Sequence, residues 1–233
     1  MGSTVTKIFM VESSPLMTEF PDRKNTPSAE TDAPSAEAIV GLYEAQAELW
    51  SKVRVSHITL EKVWLDALIA NVAPGSHILD IGCGNGVPVA AYFIQQGLQV
   101  TGIDSSQSMI NRCRSQFPDH QWHCADMRSL ALGQQFSAIV AWDSFFHLTR
   151  DAQRQLFPRF AEHALPGARL LFNTGPENGE AIGCFAGQDL YHASLAADEY
   201  RYLLQQSGFE AIRHQVEDAE AGGRTLWLAR KKA

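Results

Sequence analysis

Residues Ile78–Gly86 read "ILDIGCGNG" and decide how the rest of the chain is understood. An apolar run ends in Asp80, and Gly82, Gly84 and Gly86 follow at every second position. Glycines at a strand end let the backbone turn tightly and let a ligand approach it. The next helix offers free N–H groups and its positive dipole end. About 20 residues on, "VTGID" ends in Asp104, and a carboxylate at the end of a second strand accepts the hydroxyls of a ribose. Loop and acid together read as a nucleoside site. The spacing is GxGxG rather than the GxGxxG of a dinucleotide fold, and no GxxxxGK[ST] occurs, which excludes a Walker-type phosphate loop.

Strands and helices alternate outward from this turn. Strand-like runs are "HILDIG", "LQVTGID", "QWHCA", "FSAIVAW", "ARLLFNTG", "EAIRHQVED" and "TLWLAR". Helical stretches begin near Val87, Ser106, Arg150 and Ala196. The alternation predicts an α/β fold, a mostly parallel sheet with helices on both faces. "EDAEAGGR" joins the last two strands without a helix, and Gly222 and Gly223 supply a turn, so this pair reads as a hairpin. Upstream, "AIVGLYEAQAELWSKV" predicts one helix over Ala38–Val53, and "ITLEKVWLDALIANV" continues with a second stripe carrying Leu60, Val63, Trp64 and Leu68. Residues 1–37, rich in Ser, Thr, Pro, Ala and acidic residues, read as a disordered extension. Residues 38–233 then form one domain, with 38–72 a helical lid.

Bulk properties narrow the classes further. The chain has 233 residues, of which 45% are apolar, enough for a sizeable core. Its formal net charge of −7, without a basic stripe, argues against a nucleic-acid partner. No apolar run approaches the roughly 18 residues of a membrane span. The four cysteines, Cys83, Cys113, Cys124 and Cys184, form neither a CxxC pair nor a zinc-finger pattern, so reduced thiols in a cytoplasmic protein and no metal are expected.

"ILDIGCGNG", followed by "VTGID", "CADM" and "FSAIVAWDSFFHL", resembles the class I S-adenosylmethionine-dependent methyltransferases of the small-molecule branch, from about Leu42 to the C-terminus. The resemblance implies a Rossmann-like seven-stranded sheet of order 3-2-1-4-5-7-6, strand 7 antiparallel, which agrees with the hairpin. It implies S-adenosylmethionine as cofactor and methyl transfer to a small acceptor by in-line displacement. It also implies roles by position. The loop Gly82, Gly84, Gly86 lies under the methionine part with Asp80 nearby, Asp104 and Ser105 hold the ribose, and Asp126 and Met127 hold the adenine. Trp142 offers its carbonyl to the methionine amine, while Tyr43, Trp50 and Arg54 close a lid, Arg54 pairing with the carboxylate.

Methyl transfer requires a nucleophile held in line and relieved of its proton. Two stretches offer groups for this. "AWDSFFHLT" carries Asp143 and His147 between aromatic residues, and His147 suits both proton abstraction and contact with the cofactor pocket. "TGPENGEAIGCFAGQDLYHASL", Thr174–Leu195, reads as a long functional loop whose glycines permit lid motion and whose Tyr191 and His192 face the acceptor. A nucleic-acid enzyme is disfavoured because "WDSF" stands where base-methylating enzymes carry [DN]PP[YFW]. Protein methylation, a regulatory protein without turnover and an NAD-dependent oxidoreductase stay open as alternatives. The acceptor and the oligomeric state are not legible.

Overall fold

The computed structural model describes residues 33–53 and 58–233. Helices α1 (Ala33–Ala45), α2 (Ala47–Val53) and α3 (Lys62–Ile69) precede β1 (His77–Ile81). Then follow α4 (Val89–Gln95), β2 (Gln99–Asp104), α5 (Gln107–Gln116), β3 (Gln121–Cys124), β4 (Phe136–Ala141), α6 (Arg150–His163) and β5 (Ala164–Thr174). The chain continues with β6 (Gly179–Phe185), β7 (Gln188–Ser194), α7 (Ala197–Gln206), β8 (Phe209–Asp218) and β9 (Arg224–Lys231).

Seven strands form one sheet in the order β3-β2-β1-β4-β5-β9-β8. β1 to β5 pair in parallel, and β9 runs antiparallel to both β5 and β8. This is the expected order, with the last hairpin supplying the antiparallel strand. Gly222 (φ 66°) and Gly223 (φ 76°) take the left-handed backbone that its turn needs.

Central strands are apolar along nearly their whole length because both faces are covered. Alternate residues divide between two cores. Ile78 and Val100 pack with Trp64, Leu68, Phe93 and Trp122 on one face. Leu79, Ile81 and Ile103 pack with Phe145, Phe157, Phe160 and Phe172 on the other. Two helix starts facing the carboxyl edge of the sheet are set by their caps. Ser106 Oγ accepts from the Met109 N–H (3.1 Å) and Thr149 Oγ1 from the Ala152 N–H (3.3 Å).

Three expectations change. The single helix over Ala38–Val53 is two, α1 and α2, meeting at Gln46, and α1 starts at Ala33 rather than Ala38. The second stripe yields only α3. Trp64, Leu65 and Leu68 are buried, but Leu60 and Val63 lie exposed on a turn and on its outer face. Glu61, whose Oε2 accepts from the Thr59 N–H, draws the chain into that turn. Most consequential, Thr174–Leu195 is not a loop. β6 and β7 form a separate antiparallel hairpin. Its turn places Ala186 (φ 52°) and Gly187 (φ 78°) both in the left-handed region, the geometry of tight hairpin turns. Only one of the two is a glycine, and β7 is buried continuously from Leu190 to Ser194, so neither turn chemistry nor alternation announced it. Arg54 and residues 1–32 lie outside the described residues.

Candidate functional site

A cavity of about 300 Å³ opens at the carboxyl ends of β1, β2, β3 and β4. Gly82 and Gly84 form its base, Ile103, Asp104 and Ser105 one wall, and Ala125 to Arg128 the next. Asp143, Ser144, His147, Leu148 and Thr149 line the side after β4. Ile39, Val40 and Tyr43 of α1 and Trp50 of α2 roof it.

The glycine turn hangs from β2. The N–H groups of Gly82 and Cys83 both donate to the Ile103 carbonyl (2.8 and 3.0 Å). At Gly82 (φ 74°) a Cβ would stand 2.3 Å from the Ser144 Cβ, whose hydroxyl donates to Ile81 O (2.7 Å). Gly84 (φ 54°) differs, because the nearest atom to a Cβ there is Trp50 Nε1 at 3.8 Å. The missing side chain at Gly84 leaves ligand space between loop and roof. Gly86 packs against Phe117 and Cys113 and is not part of the cavity wall.

Asp104 ties this loop to α5. One carboxylate oxygen accepts from the Gly84 N–H (2.9 Å), the other from the Ser106 N–H (2.9 Å). Burial raises its pKa; the two backbone hydrogen bonds oppose that rise, and the nearby Glu44 adds to it. Asp126 behaves differently. Burial alone would push its carboxyl up, but hydrogen bonds from the Arg128 side chain and backbone pull it below the ordinary value. Arg128 Nε reaches both carboxylate oxygens (3.0 and 2.9 Å).

His147 is buried, and its Nδ1 lies 2.9 Å from the Tyr191 carbonyl oxygen. A carbonyl only accepts, so Nδ1 carries the proton and Nε2 the lone pair. The Tyr43 hydroxyl, 2.9 Å away, donates to Nε2. Burial lowers the His147 pKa to about 4, against the opposing influence of the Tyr191 carbonyl and Asp143. The His192 ring stacks on His147 with centroids 4.9 Å apart, and Phe146 packs at 4.7 Å. Tyr43 also meets Trp50 edge-on at 5.3 Å and stacks on Phe185 of the hairpin at 6.2 Å.

Asp143 adopts a left-handed backbone (φ 52°). Arg224 grips its two oxygens at 2.8 and 2.9 Å, and Asn173 donates from Nδ2 and accepts the Asp143 N–H, both at 2.8 Å. Arg224 is buried and lies over the Trp142 ring (5.4 Å), so the carboxylate in the cavity wall is charge-compensated from behind.

Of the residues the sequence singles out, Tyr43, Trp50, Gly82, Gly84, Asp104, Ser105, Asp126, Met127 and His147 converge on this cavity. Asp80, Gly86 and Trp142 stand behind its wall. Tyr191 and His192, expected to face the acceptor, do not line it. Tyr191 is packed in an apolar cluster with Ile39, Leu42 and Phe185, and His192 backs His147. Both sit on a strand buried along that stretch, where the Tyr191 carbonyl accepts from His147 Nδ1 and the His192 ring stacks on His147. Sequence reading missed Ser144, Arg128, Met109 and Glu44. Only Arg128 carried a signal, a base two residues after an acid at a turn. Among the described residues no group of three or more His, Cys, Asp or Glu side chains could hold a metal ion.

Residues 78–167 match the family model described as a methyltransferase domain. The chain is 32% identical over 104 residues to dTDP-3-amino-3,4,6-trideoxy-α-D-glucopyranose N,N-dimethyltransferase of Streptomyces venezuelae, covering 44% of each chain. It is 31% identical over 151 residues to an O-methyltransferase of Penicillium expansum, covering 60% of this chain and 54% of that one. The chain thus spans about half the length of these relatives. The structure of Burkholderia thailandensis 1,6-didemethyltoxoflavin-N1-methyltransferase, with 1,6-didemethyltoxoflavin and S-adenosylhomocysteine bound, superposes with a TM-score of 0.65 at 19% identity. That superposition covers 90% of this chain and 94% of the other.

Proposed function

We propose that this chain, whose core is a class I S-adenosylmethionine-dependent methyltransferase domain, transfers a methyl group from S-adenosylmethionine to a small-molecule acceptor. The observation that carries the reading is one cavity combining an open cradle at Gly84, the carboxylate of Asp104 and the neutral Tyr43–His147 pair.

The residues fit the cofactor. Asp104 and Ser105 offer acceptors for ribose hydroxyls, Asp126 offers one for the adenine amino group, and Ile103, Met109 and Met127 give apolar walls for a flat ring. Trp50 and Tyr43 close over Gly84 from above. When bound, S-adenosylmethionine supplies a methyl group already activated on a sulfonium.

The chain's own task is to position the nucleophile and manage its proton. At neutral pH a proton on His147 Nε2 stands roughly 4 kcal/mol uphill, given a pKa of about 4. His147 therefore serves chiefly to fix the Tyr43 hydroxyl, leaving the Tyr43 oxygen lone pairs toward the cavity. Such a site suits an acceptor that is already a competent nucleophile, or that loses its proton after transfer. The cations beside the site support a small acceptor over a nucleic acid. Arg128 pairs with Asp126, and Arg150 with Glu180 at 3.0 Å, so neither offers a free phosphate contact. A cytoplasmic setting with free thiols belongs to the same proposal. Among the described residues no helix is long and apolar enough to cross a membrane.

Calorimetry with S-adenosylmethionine, S-adenosylhomocysteine and NAD tests the cofactor. A metabolite pool incubated with methyl-labelled cofactor tests turnover. Binding of NAD alone would overturn the reading, and cofactor binding with no labelled product from any pool would favour a protein without turnover.

A further inference from the structure

The roof of the cavity is fastened in two unlike ways. On one side Ile39 and Leu42 of α1 bury against Phe185, Leu190, Tyr191 and Ala193 of the β6–β7 hairpin. Detaching that side exposes a continuous apolar cluster. On the other side the fastening is polar and rests on Glu44. Its Oε2 accepts from the Ser106 hydroxyl (2.5 Å) and the Ser108 N–H (3.1 Å), and its Oε1 accepts from the Ser108 hydroxyl (2.7 Å).

The partners of Glu44 form the first turn of α5, where unpaired N–H groups and the helix dipole favour an anion. Ser106 is also the α5 cap, and its backbone N–H is held by Asp104. The same turn therefore carries a carboxylate from the cavity wall and one from the roof. Glu44 is exposed, so water competes for all three bonds. A solvent-accessible polar clasp opposite a buried apolar hinge opens at the clasp.

We propose that Glu44 is a positioning residue that latches α1 onto the first turn of α5, and that release of this latch governs how fast cofactor and demethylated product leave. The inference rests on the cofactor reading above. It follows that Glu44 contributes to closure without touching the reacting atoms. Tyr43, its neighbour in sequence, is thereby held at His147 whenever the latch is shut.

The test uses the full chain with Glu44→Gln and Ser108→Ala. Amide hydrogen exchange of residues 38–53 is followed in the ligand-free protein. The dissociation rate of S-adenosylhomocysteine is measured by stopped flow. Glu44→Gln is expected to speed exchange of this segment and to raise the dissociation rate about tenfold, the scale for hydrogen bonds to a charged group. The melting temperature should hardly change. Ser108→Ala should give a smaller effect that adds little in the double variant, since both act on one clasp. Unchanged exchange in Glu44→Gln overturns the latch. Faster exchange with an unchanged dissociation rate overturns the gating role. Failure of the unmodified protein to bind S-adenosylhomocysteine refutes the cofactor reading and the gating with it, while the ligand-free exchange still accepts or rejects the latch.

Discussion

Asp104→Ala separates binding from stability more sharply than any other change in the cavity. The substitution removes the acceptor for two backbone N–H groups, those of Gly84 and Ser106. It also removes a buried charge whose pKa burial has raised. These effects oppose each other. The folded carboxylate holds its proton more tightly than the unfolded one, so the charge costs stability as pH rises from the ordinary aspartate value through the raised one. Deleting it returns that cost. Gly84 borders the cavity, so its freed N–H can be rehydrated, but Ser106 is buried and its N–H is left without an acceptor. Ligand-free stability at pH 7 should therefore fall by about 1 kcal/mol, the cost of one orphaned donor offset in part by the deleted charge. Cofactor affinity has no such compensation. Losing hydrogen bonds to a charged acceptor costs about 1.5–3 kcal/mol, which weakens S-adenosylhomocysteine binding roughly 10- to 150-fold. Calorimetry gives the affinity and denaturant unfolding without ligand gives the stability. Unchanged affinity would refute the assignment of Asp104, and a stability loss as large as the affinity loss would show that the residue acts only by holding the loop.

Two glycines two residues apart should answer the same substitution differently. Gly82→Ala drives a methyl group to 2.3 Å from Ser144 Cβ, and a loss above about 3 kcal/mol in thermal unfolding is expected. Gly84→Ala meets nothing nearer than 3.8 Å and should cost only about 1–2 kcal/mol of backbone strain, while its methyl group weakens cofactor binding by filling the cradle. His147→Gln loosens the hold on the Tyr43 hydroxyl and should lower turnover about tenfold while leaving cofactor affinity within about threefold, as measured by initial rates and calorimetry. The depressed His147 pKa means the unfolded chain binds the proton first as pH falls from 6.5 toward 4, so this residue alone should cost roughly 3 kcal/mol of stability across that window. Denaturation against pH should be flatter in the Gln variant. Arg224→Leu removes the ion pair of the half-buried Asp143 carboxylate and leaves it the Asn173 amide, and should destabilise by about 2–3 kcal/mol in denaturant unfolding.

The sheet was legible because each of its strands carries a local mark. Asp80 and the three glycines end the first, Asp104 ends the second, and Gly222–Gly223 turn the last pair. The cofactor side of the cavity inherits that legibility, since Gly84, Asp104, Asp126 and Met127 all lie just past strand ends. The hairpin was not legible. Ala186 takes a conformation that sequence reading reserves for glycine or asparagine, and β7 is buried on both faces. The placement of Tyr191 and His192 was hidden for the same reason. A polar aromatic in a supposed loop reads as a ligand contact, whereas on β7 both are buried beside His147. Glu44 carried no signal, because its partners are more than sixty residues away on another helix.

The two halves of the cavity also differ in where they come from. Gly84, Asp104, Asp126, Met127 and His147 lie within residues 78–167, the segment that matches the methyltransferase domain. Tyr43, Glu44 and Trp50 of the roof, and Tyr191 and His192 behind His147, lie outside it. The lone pair of His147 points where it does because the Tyr191 carbonyl, on the hairpin, accepts a hydrogen bond from Nδ1–H and Tyr43, on the roof, donates to Nε2. A residue within the matched segment thus receives its tautomer from segments outside it, while burial sets its low basicity. Similarity to the domain therefore carries the cofactor across and stops short of the acceptor. Exchanging the β6–β7 hairpin, which lines none of the cavity but carries the roof and accepts from His147 Nδ1, should lower turnover and weaken S-adenosylhomocysteine binding while leaving the choice of acceptor unchanged. A chimera that methylated a different acceptor, scored on a panel of small nucleophiles, would put specificity in the hairpin instead.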